Sequence, residues 1–373
     1  MTLTAYTGCD VHDGTQLHPD AVLLLEDGVC VGIGKAVPEG AAVVTLPGGT
    51  LCPGFIDLQV NGGGGVMFND VASVETLRTM AAAHRGMGTT AMLPTLITDR
   101  REVSQAAIAA AVAAADTVPG IIGLHLEGPH LSLARKGAHD PALIRPLDND
   151  DMAMLCAAAA QLPNLMLTVA AETVTTAQIA QLTAAGVIVS LGHSNAGYDT
   201  CQAAFAAGAG CTTHLFNAMS GLGHREPGLV GATLDGTGAT GLIADGVHVH
   251  PAAIRAALQA KAAGTVFLVS DAMAPAGTDL DRFTLNGREI HRHDGRLTLA
   301  DGTLAGADLS LPQAIGVMVN HVGITLERAI AMATAAPASV LRQAGSAGHL
   351  RVGAPCEVVH LAEDLTQAHS LLT

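Results

Sequence analysis

The sequence has no tryptophan, two tyrosines and six phenylalanines among 373 residues, and its only lysines are Lys35, Lys136 and Lys261. The scarcity of aromatics, set beside very many alanines, carries no functional reading. The scarcity of positive charge does. Eighteen Lys and Arg stand against 33 Asp and Glu, a net charge of −15. No basic stripe can therefore offset nucleic-acid phosphates. A small anion would have to be held by a few local donors: arginine, histidine or backbone N–H groups. Mean hydropathy is +0.39, yet no apolar run free of charge or glycine reaches the roughly 18 residues of a membrane span. The opening MTLTAYTGCDVHDG has no basic region followed by an apolar core, so a cytoplasmic location is expected. Cys9, Cys30, Cys52, Cys156, Cys201, Cys211 and Cys356 are scattered and never spaced CxxC. They read as reduced, mostly buried thiols rather than a disulfide or zinc framework. No GxGxxG follows an early strand, which disfavours a dinucleotide fold.

Short apolar runs are present in two patterns. Residues 21–25 (AVLLL) and 29–33 (VCVGI) are split by Asp27-Gly28, a hairpin signal, and 349–361 (HLRVGAPCEVVHL) has the same character. One small β-sandwich built from both termini, residues 1–52 with 343–373, is expected. Residues 53–342 alternate differently. Eight apolar runs end in polar residues: GFIDLQVN (54–61), TTAMLPT (89–95), IIGLHLEG (121–128), LMLTVAAE (165–172), VIVSLGHS (187–194), GCTTHLFN (210–217), TGLIADGVH (240–248) and TVFLVSDA (265–272). Helical stretches lie between them. In 73–84, Leu77, Met80, Ala81 and His84 share one face, ended by Gly86 and Gly88; His250-Pro251 opens another helix. The alanine-rich 105–115 and 153–160 are plain helices. Eight β-then-α units predict an α/β fold, a (β/α)8 TIM barrel, with a doubly wound open sheet as the competing architecture.

The polar residues collect at the C-terminal ends of these runs: Gln59, Asn61, Glu127, His193, His214, Asp245, His248 and Asp271. In a barrel those ends share one rim, where active sites form. Glu127, His193 and His214 make a two-nitrogen, one-oxygen set with a coordination position left open, a common catalytic zinc shell that also suits iron, manganese or cobalt. A divalent ion lowers the pKa of water from 15.7 to about 7. Asp271, ending the eighth run, is placed to take that proton and return it to a leaving group, or else merely caps the segment after it.

In this order the segments PGFIDLQVNGGGG, HLEGPHLS, KGAHDP, GHSNA, THLFNAM, REPGLVG, ADGVHVHP, VSDAMAPAG and GTLAGADLSL resemble the motifs of N-acetylglucosamine-6-phosphate deacetylases of the amidohydrolase superfamily. The resemblance runs from about Gly54 to Leu341. It implies hydrolysis of the acetamide of a phosphorylated amino sugar by a homodimer. Glu127, His193 and His214 would hold one divalent metal per subunit, zinc first among the options. Asp271 would be the acid and base, and His139 would polarise the acetyl carbonyl. Ala138, His139, Asn217, Ala218, His248 and Leu304 would contact the sugar phosphate. Arg225 would reach into the neighbouring subunit's site. Many amidohydrolases end their first strand in His-x-His, which holds a second metal. Here Gln59-Val60-Asn61 stands there, so a second site should be weak or absent, with Gln59 beside the ion and ligating it weakly at most.

Two readings stand for the glycines at 62–65: close passage of backbone to the sugar, or a flexible loop without contacts. His125 is expected to pack inside the barrel. His130 either lines the sugar pocket or bonds a loop. His12, His18, His84, His291, His293, His321, His349, His360 and His369 are read as surface or packing residues. The small sheet is expected to be trimmed after EVVHLAEDL (357–365). Competing functions are the galacto epimer of the substrate, another amidohydrolase such as a dihydroorotase, or a non-catalytic sugar-phosphate sensor.

Overall fold

The computed structural model describes residues 3–261 and 263–371. Eight parallel strands form one sheet in chain order: Phe55–Val60, Thr89–Ile97, Leu124–Glu127, Leu165–Val169, Ile188–Leu191, Cys211–Thr212, Ala239–Leu242 and Val266–Leu268. Each falls within or overlaps one of the eight apolar runs. Parallel strands covered on both faces need apolar residues on both, so they appear as unbroken runs rather than alternations. The first and eighth strands meet at their C-terminal ends. Val60 pairs with Ala272, and the N–H of Asn61 donates to the Ala272 carbonyl at 2.8 Å. The N–H of Asp271 donates to the Gln59 carbonyl at 3.0 Å. The sheet therefore closes as a barrel at the rim where the polar residues gather. Among the described residues no helix is long and apolar enough to cross a membrane.

Local signals place the covering helices. Val74–Arg85 starts at Ser73, whose side chain accepts from the Thr76 N–H, and it buries Leu77, Met80, Ala81 and His84. Pro251–Ala260 follows the His250 cap, with proline where no N–H is required. Both chain ends enter one seven-stranded sheet: Leu3–His12, Leu17–Glu26, Val29–Gly34, Ala42–Thr45, Thr50–Pro53, Val358–Leu361 and Ala368–Ser370. Asp27 and Gly28 both adopt positive φ, the geometry of a two-residue hairpin turn. One expectation needs correction here: only Val358–Leu361 of the 349–361 stretch is strand. Beyond it, Ala368–Ser370 folds back on that strand.

A further four-stranded antiparallel sheet, Arg282–Leu285, Arg288–His293, Arg296–Thr298 and Leu304–Ala307, follows the eighth barrel strand. Sequence reasoning passed over it as part of the barrel. Its signals were the turn pairs Asn286-Gly287, Asp294-Gly295 and Asp301-Gly302, in which all six residues except Asp301 have positive φ.

The glycines at 62–65 follow neither reading. Gly62–Gly63 pairs with Val66–Met67 in a tight hairpin. His84, buried in its helix, bonds the Gly62 carbonyl through Nε2 at 2.9 Å. A Cβ on Gly62 would lie 2.5 Å from the Val66 carbonyl oxygen and 2.7 Å from the Ala274 nitrogen. Both are backbone atoms that cannot step aside. Gly62→Ala is expected to destabilise the protein by about 1–3 kcal/mol, read as a lower urea midpoint with an unchanged slope. An unchanged midpoint would refute this packing account.

Candidate metal centre and active site

The strand ends turn abruptly where the candidate residues sit. His193, His214 and Asp271 have φ values of 47°, 33° and 50°. Left-handed backbone at non-glycine residues is costly and clusters at functional sites. Here it swings three side chains from separate strands into one cavity of about 420 Å³. Glu127 Oε1 lies 3.2 Å from His193 Nε2 and 3.0 Å from His214 Nε2, and the two imidazole nitrogens are 3.1 Å apart. All three side chains are buried. Donors about 2.0–2.1 Å from a tetrahedral ion are roughly 3.3 Å from one another, so this triangle has the size of one face of a zinc shell.

The protons support the same fit. His193 Nδ1 lies 2.8 Å from the Arg135 carbonyl, to which it donates, so Nε2 presents a lone pair to the triangle. Burial pushes Glu127 up, but the two imidazoles beside it outweigh burial and hold it well below the usual carboxylate range. For His214 burial works downward, and Glu127 overcomes it and raises the pKa. A carboxylate and the His193 lone pair facing each other in a dry site call for a cation, and the residues present suit a divalent ion. His139 also comes within 4.8 Å of ligand atoms of Glu127 and His193. Its Nδ1 is bonded to Thr98 Oγ1 at 2.8 Å, whereas His214 touches Glu127 directly, so His214 is the better third ligand.

Asp271 stands beside this triangle, held by amides. Asn61 Nδ2 donates to its Oδ1 at 2.7 Å and Gln59 Nε2 at 3.1 Å. Gln59 Nε2 also donates to Glu127 Oε1 at 3.2 Å. Gln59 was expected beside the ion and ligating weakly at most, and it does stand beside the triangle. Two carboxylates draw its amide nitrogen inward, and an amide nitrogen has no lone pair to offer a metal. Burial, then the charge on Glu127, push Asp271 up to about 6. Burial first, and His193 second, push His139 down to about 3, so its ring is neutral.

Ala138, His139, Asn217, Ala218, His248 and Leu304 all line this cavity. His248 Nδ1 is bonded to Asp245 Oδ2 at 2.6 Å, which orients its ring. Arg225 does not line the cavity; it is exposed on a surface loop beside Leu222, itself 62% exposed. His125 sits inside the barrel below the site, bonded to the Leu58 carbonyl at 3.0 Å and Thr168 Oγ1 at 2.8 Å. His130 bonds the Arg145 carbonyl at 3.1 Å, resolving its two readings in favour of the loop. Sequence reasoning missed the roof: Leu285, Thr303 and Gly306 of the inserted sheet also line the cavity, and Arg288 donates to the Ala138 carbonyl. A larger cleft of about 530 Å³ lies between that sheet and the C-terminal strand. Its arginine, Arg292, is paired with Asp308.

With this geometry in place, the comparisons with known proteins agree. The amidohydrolase family model matches residues 50–367, and the chain belongs to that family. Within it, the chain is similar to amino-sugar-phosphate deacetylases. It is 46% identical over 321 residues to N-acetylgalactosamine-6-phosphate deacetylase of Shewanella sp. (strain ANA-3), covering 86% of this chain and 81% of the relative. It is 40% identical over 306 residues to N-acetylglucosamine-6-phosphate deacetylase of Haemophilus influenzae, covering 81% and 80%. The crystal structure of N-acetylglucosamine-6-phosphate deacetylase from Pasteurella multocida superposes with a TM-score of 0.93 at 35% identity, covering 98% of this chain and 97% of that one.

Beneath Gln59 and Asp271 lies Asp57, fully buried, accepting from the Ser270 N–H at 3.2 Å and the Gln59 N–H at 3.2 Å. Burial raises its pKa to about 7 from 3.8. Between those values the folded protein keeps a proton the unfolded chain has lost, so stability falls as pH rises through the window. Asp57→Asn removes that fall. Its melting temperature relative to the unmodified protein is expected to climb between pH 4 and pH 7, by an amount worth at most ~4 kcal/mol. A constant difference across that range would contradict the burial argument.

Proposed function

We propose that the chain hydrolyses the acetamide of N-acetylglucosamine 6-phosphate to glucosamine 6-phosphate and acetate. The observation that carries this reading is the buried triangle of Glu127, His193 and His214 with a clamped carboxylate beside it, in a pocket of small-ligand size. A divalent ion held by the triangle supplies a Lewis acid that acidifies water and polarises a carbonyl. Zinc suits two imidazoles and a carboxylate; iron, manganese and cobalt are the alternatives to compare.

The chain's own groups do the rest. Asp271 Oδ1 is engaged by two amides, so Oδ2 is the oxygen that receives the proton of the attacking water. Once protonated, the same group hands that proton to the amide nitrogen as the C–N bond breaks. A pKa near 6 suits both steps at neutral pH. His139 is neutral, so it acts on the carbonyl oxygen as an N–H donor rather than as a cation; when Thr98 donates to Nδ1, the ring proton sits on Nε2. Asn217, Ala218 and His248 hold the sugar phosphate, with Ala138 and Leu304 against the sugar.

Arg225 is read as the phosphate ligand of the neighbouring subunit in a homodimer. Its exposure, away from its own cavity and next to exposed Leu222, supports that reading. Residues 53–342 form the catalytic unit in this account, with 1–52 and 343–373 making the small β unit. The described cysteines are all free, in keeping with a reducing, cytoplasmic setting. The galacto epimer is the second reading, favoured by the 46% identity to the Shewanella enzyme.

Acetate release should be measured on both sugar phosphates. The gluco substrate is expected to have the higher kcat/KM, and a galacto preference would overturn that choice. Asp271→Asn is expected to lower kcat by roughly 10²–10⁴-fold. Arg225→Ala should raise KM for the phosphorylated sugar and leave the unphosphorylated one unchanged. Undiminished turnover in Asp271→Asn would remove the mechanism.

A further inference from the structure

Asn61 is fully buried and lines the cavity, yet its two polar atoms stand in different situations. Nδ2 donates to Asp271 Oδ1 at 2.7 Å. Oδ1 is buried and has no hydrogen-bond partner. The carboxylate dictates which atom is which, because the reverse orientation would set two oxygens against each other. The residue cannot turn away to find a donor. Its N–H is bonded to the Ala272 carbonyl at 2.8 Å, and its own carbonyl accepts from the Phe68 N–H at 3.0 Å. A buried acceptor without a donor is destabilising and calls for an explanation.

We propose that Asn61 Oδ1 accepts the N–H of the substrate's acetamide, so that one side chain orients the proton carrier and recognises an amide hydrogen. The inference rests on the acetamide hydrolysis proposed above. Asp271 must deliver its proton to the amide nitrogen, so that nitrogen has to approach its carboxylate. Asn61 Oδ1 shares a carbon with the Nδ2 that touches Asp271, so acceptor and proton carrier flank the same substrate atom. Holding the N–H turns the nitrogen lone pair toward Asp271 as the carbonyl carbon becomes tetrahedral. An ester has no hydrogen at this position and leaves Oδ1 unpaired. Sites built to bond a substrate N–H discriminate against analogues that lack it. Gln59 differs, because its Nε2 serves Glu127 and Asp271 and it does not line the cavity.

The test compares kcat/KM for the 2-acetamido sugar phosphate and for its 2-O-acetyl ester counterpart. Both substrates share any loss of Asp271 orientation, so the amide-to-ester ratio isolates the N–H contact. In Asn61→Ala the ratio is expected to fall about 10-fold or more, and Asn61→Ser repeats the comparison should the alanine variant not fold. Asn61→Asp keeps an acceptor, so both rates should drop while the ratio is retained. Equal slowing of amide and ester in the alanine and serine variants would overturn the proposal. If the unmodified protein releases acetate from neither compound, the hydrolytic reading itself fails and takes this inference with it.

Discussion

One carboxylate oxygen and two imidazole nitrogens, drawn within 3.2 Å of each other in a buried space, form the constraint on which the site depends. Unpaired, such a cluster would be strongly unfavourable in a low-dielectric interior. A positive ion turns the same closeness into attraction. The fold enforces the closeness, since Glu127, His193 and His214 end different barrel strands and have no freedom to separate. The amidohydrolase barrel here is a device for bringing acceptors together and leaving one side of them open.

What surrounds the triangle holds each group in one pose. Below it, hydroxyls and one imidazole fill the barrel interior: Thr168 and Ser190 each lie 2.7 Å from Thr213, and His125 joins them through Thr168. This polar layer is fully paired, so it supports the site without competing for the ion. Beside the triangle, two amides clamp one oxygen of Asp271 and leave the other outside the clamp. Above it, the inserted sheet supplies an apolar roof, and Arg288 ties down the loop that bears His139. Each shell acts on the one inside it.

The barrel was legible because buried parallel strands cannot alternate, and all eight apolar runs became strands. The rim residues were legible for a related reason: a carboxylate or imidazole ending an apolar strand has few purposes. The clamp on Asp271 was not. Gln59 and Asn61 meet it across more than 200 residues of sequence, and only closure of the first strand onto the eighth makes them neighbours. The left-handed turns at His193, His214 and Asp271 were hidden as well, since these residue types do not announce a positive φ as glycine does. The inserted sheet was readable from its three Xaa-Gly turns, but its charged, exposed strands lacked the apolar run that marks the barrel. The glycines at 62–65 were misjudged because what confines them, Ala274 and His84, lies elsewhere in the chain.

X-ray absorption at the edge of the metal retained by the purified protein tests the central claim most directly. The account predicts one ion per chain with a first shell of two imidazole nitrogens and oxygen at about 2.0–2.2 Å, without sulfur. A shell containing cysteine sulfur, a pair of neighbouring metals, or an unchanged spectrum after Glu127 and His214 are replaced by alanine would contradict it.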